Sequence, residues 1–164
     1  MSLFVHISIH ILFGLLAGFL VWRFFGKSIF SFAGGLIGGF LVDLDHFVDY
    51  FLAFGWNFNF DYFIHGFQFL KSGKIYILFH SWEYAIILLV IALFLKKNLK
   101  TKSFILAISI GLFFHLVTDI AINEGVTPRS YFVIDRAKNN FEIEKIVTPE
   151  HYEKHILKKV QTDF

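Results

Sequence analysis

Apolar and polar positions fall along this chain in long blocks rather than in a short alternation. Four blocks stay apolar long enough to cross the bilayer core, which takes about 20 residues in a helix. The first runs from Leu3 to Trp22 without a Lys, Arg, Asp or Glu. The second starts near Ser28 and is uncharged to Val42. It continues as Asp43-Leu44-Asp45-His46-Phe47-Val48-Asp49 and an aromatic run to Phe54. The third, Ile75 to Leu95, carries one acid, Glu83, and the fourth, Ser103 to about Ile122, carries Asp119. The expected fold is all-α: an integral membrane four-helix bundle with a polar C-terminal tail. A cleaved signal peptide fits the first block poorly, because a basic n-region and a small-x-small cleavage site are both missing.

The connections differ in kind. Phe25–Lys27 and Lys96–Lys102 read as tight turns, and Gly55–Lys74 as an aromatic-rich loop with an interfacial helix around Phe60–Leu70. From Gly125 on the chain is polar, and Thr148-Pro149-Glu150 reads as a helix N-terminus with a capping hydroxyl and proline at the first position. The predicted division is a transmembrane helical metal-binding domain, 1–125, and a polar C-terminal tail with a short helix, 126–164. In that tail His151 and His155 lie among Glu150, Glu153 and lysines and read as a solvated helix face. Gly14 and Gly18, Gly34 and Gly38, and Gly35 and Gly39 are each four apart, the spacing that lets membrane helices approach closely.

Composition strengthens the membrane reading. Only 17% of the 164 residues are charged and the mean hydropathy is +0.63, whereas soluble domains carry about 25% charge. The absence of cysteine removes disulfides, thiolate metal sites and cysteine nucleophiles. A net charge of +2 with no basic stretch excludes a nucleic-acid partner and leaves membrane lipids as the expected surroundings. Four crossings put the two short turns on one side. These hold Arg23, Lys27, Lys96, Lys97, Lys100 and Lys102 and no acid, so the positive-inside rule makes that side cytoplasmic. The polar site and tail then face the non-cytoplasmic side.

The ionisable residues within the blocks carry the chemistry. His6 and His10 are four apart; Asp43, Asp45, His46 and Asp49 follow one another in the second block. His80 and Glu83 lie one turn apart in the third, and His115 and Asp119 in the fourth. All four sets fall in the same half of the membrane, where each charge costs roughly 2.5–3.5 kcal/mol on the mildest scale. Taken singly, each pair is a plausible interhelical hydrogen bond, and His6 is equally an interfacial residue. Together, the surplus of carboxylates calls for a cation. His and Asp at i,i+3 or i,i+4 present two ligands to one metal. Donors without sulfur suit zinc, manganese or iron, with magnesium possible if few histidines bind. The expected ligands are His10, Asp45, His80, His115 and Asp119, with Asp43 and His46 able to join them. Asp49 and Glu83 are candidates for a general base or for bridging two ions. One or two divalent ions, zinc by preference, would lower the pKa of a bound water from 15.7 to about 7.

Asp43-Leu44-Asp45-His46, then His80-Ser81, then His115-Leu116-Val117-Thr118-Asp119 resemble, in order and spacing, the membrane-bound metal-dependent hydrolases that include LexA-regulated bacterial inner-membrane proteins. Val42 stands where that family has proline and Phe79 where it has threonine. A more distant similarity is to the helical zinc-dependent phospholipase C fold. The resemblance implies metal-dependent hydrolysis of a phosphoester or lipid-phosphate substrate. Arg129 and Arg136 could neutralise a phosphate, although interfacial anchoring is the weightier reading of both. Two alternatives stay open: an ion or proton transporter, and a non-catalytic membrane protein held together by its metal or polar cluster.

Overall fold

The computed structural model describes residues 3–162, and these are mostly helical, with no β-strand among them. In chain order they form α1 (Leu3–Phe25), α2 (Ser28–Gly39), a 3-10 turn (Leu41–Asp45), α3 (His46–Phe54), α4 (Phe60–Ile64) and α5 (Phe67–Ser72). There follow α6 (Trp82–Phe94), α7 (Leu99–Ile122), a 3-10 turn (Pro128–Tyr131), α8 (Val133–Lys138), α9 (Ile143–Ile146) and α10 (Pro149–Gln161). By length and composition α1 and α7 can each cross a membrane, and the interrupted pair Ser28–Gly39 and Leu41–Phe54 makes a third candidate if counted as one span. These helices point to membrane association. The fourth expected span is shorter than its apolar block, because α6 has 13 residues and so about 20 Å of length.

Both departures have local causes. In a continuing α2 the Gly39 carbonyl would take the Asp43 N–H; instead Asp43 N donates to Phe40 O at 3.2 Å, and Gly39 O faces His115 Nδ1 at 3.0 Å. The helix therefore tightens into a 3-10 turn. In the third block the N–H groups of Tyr76 and Ile77 donate to the Asp49 carboxylate at 2.7 and 2.9 Å, which removes them from a helical ladder. Helix α6 starts only after Ser81, whose hydroxyl oxygen accepts from Glu83 N at 3.2 Å and caps the first turn.

The described residues form two compact units, each drawn from two stretches: 3–43 with 79–122, and 44–78 with 123–162. In the first, α2 lies against α1 and α7, and α6 against α7. The glycine pairs sit at these crossings. A Cβ on Gly34 or Gly38 would stand 2.3 Å from Phe104 O or 2.1 Å from Ile108 O of α7. On Gly35 or Gly39 it would stand 2.2 Å from Gly14 O or 2.5 Å from Gly14 Cα of α1. Two neighbouring glycine rows thus seat α2 on two helices at once. Ser109 adds a polar tie, its hydroxyl donating to Ala85 O of α6 at 2.7 Å.

The second unit has a different kind of core. Ile143, Ile146 and Val147 pack with Ile75 and Tyr152, and the buried Tyr50 hydroxyl donates to Asn57 O and accepts from Asn59 N. Arg136 is fully buried and donates to Ser130 O and Ile77 O, each at 3.0 Å. The expected helix around Phe60–Leu70 is two short ones, α4 and α5, parted at Gly66, which takes a left-handed φ of +67°. Helix α10 begins at Pro149 as expected, but the Thr148 side chain makes no capping bond. The expected solvated face of α10 is corrected by the structure. His155 is 8% exposed and stacked against Tyr152, because α10 packs on α5. His151 closes over Gly125, where a Cβ would meet it at 2.2 Å.

Candidate metal centre

The first unit gathers four histidines and two aspartates. His6 and His10 project from one face of α1, one turn apart. Asp43 stands in the 3-10 turn that follows α2, His80 two residues before α6, and His115 and Asp119 one turn apart on α7. His10, His80, His115 and Asp119 are buried, while His6 and Asp43 each keep 22% of their side chain exposed. The cluster therefore has a buried floor and an accessible edge.

Its geometry centres on Asp119. Oδ1 lies 3.3 Å from His6 Nε2 and 3.2 Å from His10 Nε2. Oδ2 lies 3.4 Å from His115 Nε2 and 3.8 Å from His80 Nε2. Asp43 Oδ1 stands 3.3 Å from His80 Nε2 and 3.5 Å from His115 Nε2. The Nε2 atoms of His6 and His10 are 2.6 Å apart, and those of His80 and His115 are 2.9 Å apart. His10 and His115 stack with ring centroids 3.9 Å apart. Their donor atoms form several groups close enough together to hold a metal ion, among them His6, His10 and Asp119, and His80, His115 and Asp119.

One contact fixes the chemistry of the set. Gly39 O can only accept, so the 3.0 Å approach of His115 Nδ1 puts a proton on that nitrogen. In the neutral ring Nε2 then carries a lone pair, and it points at two carboxylates. A lone pair aimed at anions in a low-dielectric interior repels them, and a cation on Nε2 reverses the sign. A backbone carbonyl on the far nitrogen is the usual outer-shell orientation of a metal-ligating histidine. The donor set therefore fits a divalent ion.

Asp45, Asp49 and His46 belong to the second unit: Asp45 is buried at the N-terminus of α3, and His46 sets its ring edge-on to Phe69. Asp49, read from sequence as a base or bridge, has both oxygens on backbone N–H groups. Glu83 accepts from the Ser81 hydroxyl in the first turn of α6. Arg136 is enclosed in its own unit's core, and Arg129 makes a two-point pair with Asp135, each bond 3.0 Å, which holds the partly exposed Asp135 carboxyl below its ordinary range. His6 is the residue the sequence reading undervalues. Its i,i+4 spacing from His10 was the available signal, outweighed by its closeness to the N-terminus. No family model, curated protein or solved structure matches this chain.

Proposed function

We propose that the protein is a membrane-embedded metal-dependent hydrolase acting on phosphoester or lipid-phosphate substrates, with its polar site on the non-cytoplasmic side. The observation that carries this reading is the convergence of four imidazole Nε2 atoms on two carboxylates at one level of a helical unit, with His115 locked as a metal-ligating tautomer. His6, His10, His80, His115, Asp43 and Asp119 hold the ion. When bound, it supplies Lewis acidity and a water of lowered pKa. The chain's own part is to orient and to exclude. Gly39 O keeps His115 in register, the buried floor keeps bulk water from His10, His80 and His115, and the edge at His6 and Asp43 admits substrate. Asp43 is the carboxylate at that edge, whereas Asp49 and Glu83 are engaged by backbone amides and by Ser81. The order of the short motifs through the chain supports the same reading.

The test is turnover by the purified protein in lipid micelles, with a chromogenic phosphodiester and a lipid phosphate as substrates. Hydrolysis of at least one is expected, lost on chelation, restored by zinc or manganese, and reduced by His115→Ala at least as far as the roughly 10–100-fold that loss of an outer-shell partner of a metal ligand costs. Full metal content with no turnover of either would refute it. The burial of the floor favours a second reading, a metal clamp that only holds helices together, and that outcome would establish it.

A further inference from the structure

We infer that the end of the first unit opposite its histidines is a docking surface for anionic lipid headgroups, built by two turns that lie far apart in sequence. The inference rests on membrane association alone and stands or falls apart from the metal and hydrolase readings.

Residues 23–27 close α1 and lead into α2, and residues 96–102 join α6 to α7. They hold Arg23, Lys27, Lys96, Lys97, Lys100 and Lys102 and no acid. The fold brings the two turns together. Lys100 Nζ stands 5.6 Å from the centre of the Phe30 ring near the start of α2, and Lys102 Nζ stands 5.6 Å from that of Phe25, the last residue of α1. Both lie within the reach of about 6 Å at which a ring face attracts an ammonium. Each lysine therefore crosses from α7 to the other turn. The carboxylates of this unit are remote. Asp119 lies about five turns of α7 beyond Lys102, roughly 25 Å. Glu83 opens α6, whose far end leads into Lys96, and Asp43 follows the far end of α2, which begins next to Lys27. These separations exceed the screening length of about 8 Å at physiological salt.

A phenylalanine ring holds an ammonium without neutralising it. Lysine has three N–H donors and no acceptor, so a lysine set over a ring keeps donors to give to an anion. Depth selects the anion. The uncharged stretch Leu3–Trp22 of α1 spans about 30 Å at the helical rise, the thickness of the hydrocarbon core, which puts Arg23 and the lysines around it at headgroup level. Among them Phe24, Ile29 and Phe94 are each more than three-quarters exposed. Acyl chains cover such side chains while the long cationic ones reach out to phosphate. A zwitterionic headgroup carries its phosphate beside a quaternary ammonium, which a cluster of six cations repels. An anionic phosphodiester lipid lacks that ammonium, so charge complementarity selects it.

The full chain should be reconstituted in phosphatidylcholine bilayers containing a trace of spin-labelled phosphatidylglycerol or spin-labelled phosphatidylcholine. The fraction of label immobilised on the protein, read by electron paramagnetic resonance, gives the relative association constant of each lipid. Phosphatidylglycerol is expected to bind more tightly. That preference should fall in Lys100→Gln/Lys102→Gln, by up to about fivefold for each lysine, the equivalent of about 1 kcal/mol. It should survive in Lys100→Arg/Lys102→Arg and in Lys138→Gln of the second unit, and shrink in about 1 M salt, where the screening length is about 3 Å. Equal association of the two lipids with the wild-type chain would overturn the inference, and that comparison needs no variant to fold. A preference undiminished in a Lys100→Gln/Lys102→Gln protein with wild-type helical circular dichroism would also overturn it. So would displacement of the lipid by inorganic phosphate at constant ionic strength, which would mark a site for a free anion instead of a lipid surface.

Discussion

Replacing Gly38 by alanine adds one methyl group where α2 crosses α7, and the structure sets the size of the disturbance. The new Cβ would lie 2.1 Å from Ile108 O and 2.8 Å from Leu112 N, whereas ordinary contact starts at 3.4 Å. Both obstacles are backbone atoms, so no rotamer change relieves them. The two helices must part by more than 1 Å. Overpacking of this kind costs about 1–3 kcal/mol and sometimes more, and about 2–4 °C of melting temperature per kcal/mol is expected at this chain length. The same displacement acts on the metal centre, because His115 rides on α7 while Gly39, 3.0 Å from its Nδ1, ends α2. Metal–ligand distances tolerate about 0.2 Å. Gly38→Ala should therefore lower the melting temperature and the metal content together in purified, micelle-bound protein. Leu12→Ala, at a position 64% exposed, should leave metal content intact. A Gly38→Ala protein with wild-type melting and full metal would refute the link between this crossing and the site.

Two further expectations concern the second unit. Asp49→Ala strands the Tyr76 and Ile77 amides that its carboxylate accepts, at about 1–3 kcal/mol for each buried group left unpaired; Asp49→Asn, which retains one acceptor oxygen, should lose about half as much in denaturant titration, and equal stability of all three proteins would refute the role. Burial, reinforced by Lys159, His151 and Lys158, holds His155 below the ordinary histidine value of 6.5, so the unfolded chain takes up protons first and the stability this residue contributes is present above pH 6.5 and lost as pH falls through its folded value. Hydrogen exchange of α10, corrected for intrinsic rates, should show that loss below pH 6.5, and His155→Gln should flatten it; identical profiles would show that His155 does not titrate on unfolding.

Much of the first unit was legible in the sequence because membrane helices write themselves in long apolar runs and paired glycines. Leu3–Trp22 became α1, and the glycine rows at Gly34–Gly38 and Gly35–Gly39 became the crossings of α2 with α7 and with α1. All the expected ligands that lie in this unit, His10, His80, His115, Asp119 and Asp43, fall in groups able to hold an ion. What the runs could not disclose was where backbone hydrogen bonds change partner. Nothing in Ile75–Ser81 reveals that Asp49, 27 residues earlier, takes the Tyr76 amide and delays α6. The same holds for Asp49 itself, whose two oxygens accept from the Tyr76 and Ile77 amides. A carboxylate with several acidic neighbours looks like catalytic chemistry in a sequence, whereas in three dimensions two backbone donors explain it. His155 was misjudged for a related reason: charged neighbours along α10 describe the helix surface as a whole, and one face of it meets α5.

The break after Gly39 and the state of His115 are one event seen from two sides. A helix that continued past Gly39 would bond that carbonyl to the Asp43 amide. Releasing it gives His115 Nδ1 an acceptor and, by the same local change, frees Asp43 to enter a 3-10 turn where Oδ1 stands 3.3 Å from His80 Nε2. Helix geometry thus delivers one ligand's tautomer and another ligand's position together. Energetics then require a positive charge at the point where they meet. Asp119 is 3% exposed, and its ion-pair partners among the described residues are all histidines. A buried carboxylate costs several kcal/mol unless a charge compensates it. Protonated imidazoles could supply that charge, but His115 has already placed one N–H on Gly39 O. A second proton on its Nε2 would make it a cation beside a stacked His10 ring 3.9 Å away and a His80 nitrogen 2.9 Å away. A divalent ion held by the Nε2 atoms would supply the same compensating charge. The close glycine crossings, the broken helix and the histidine pairs together leave buried His and Asp groups whose donor atoms are able to hold a metal ion.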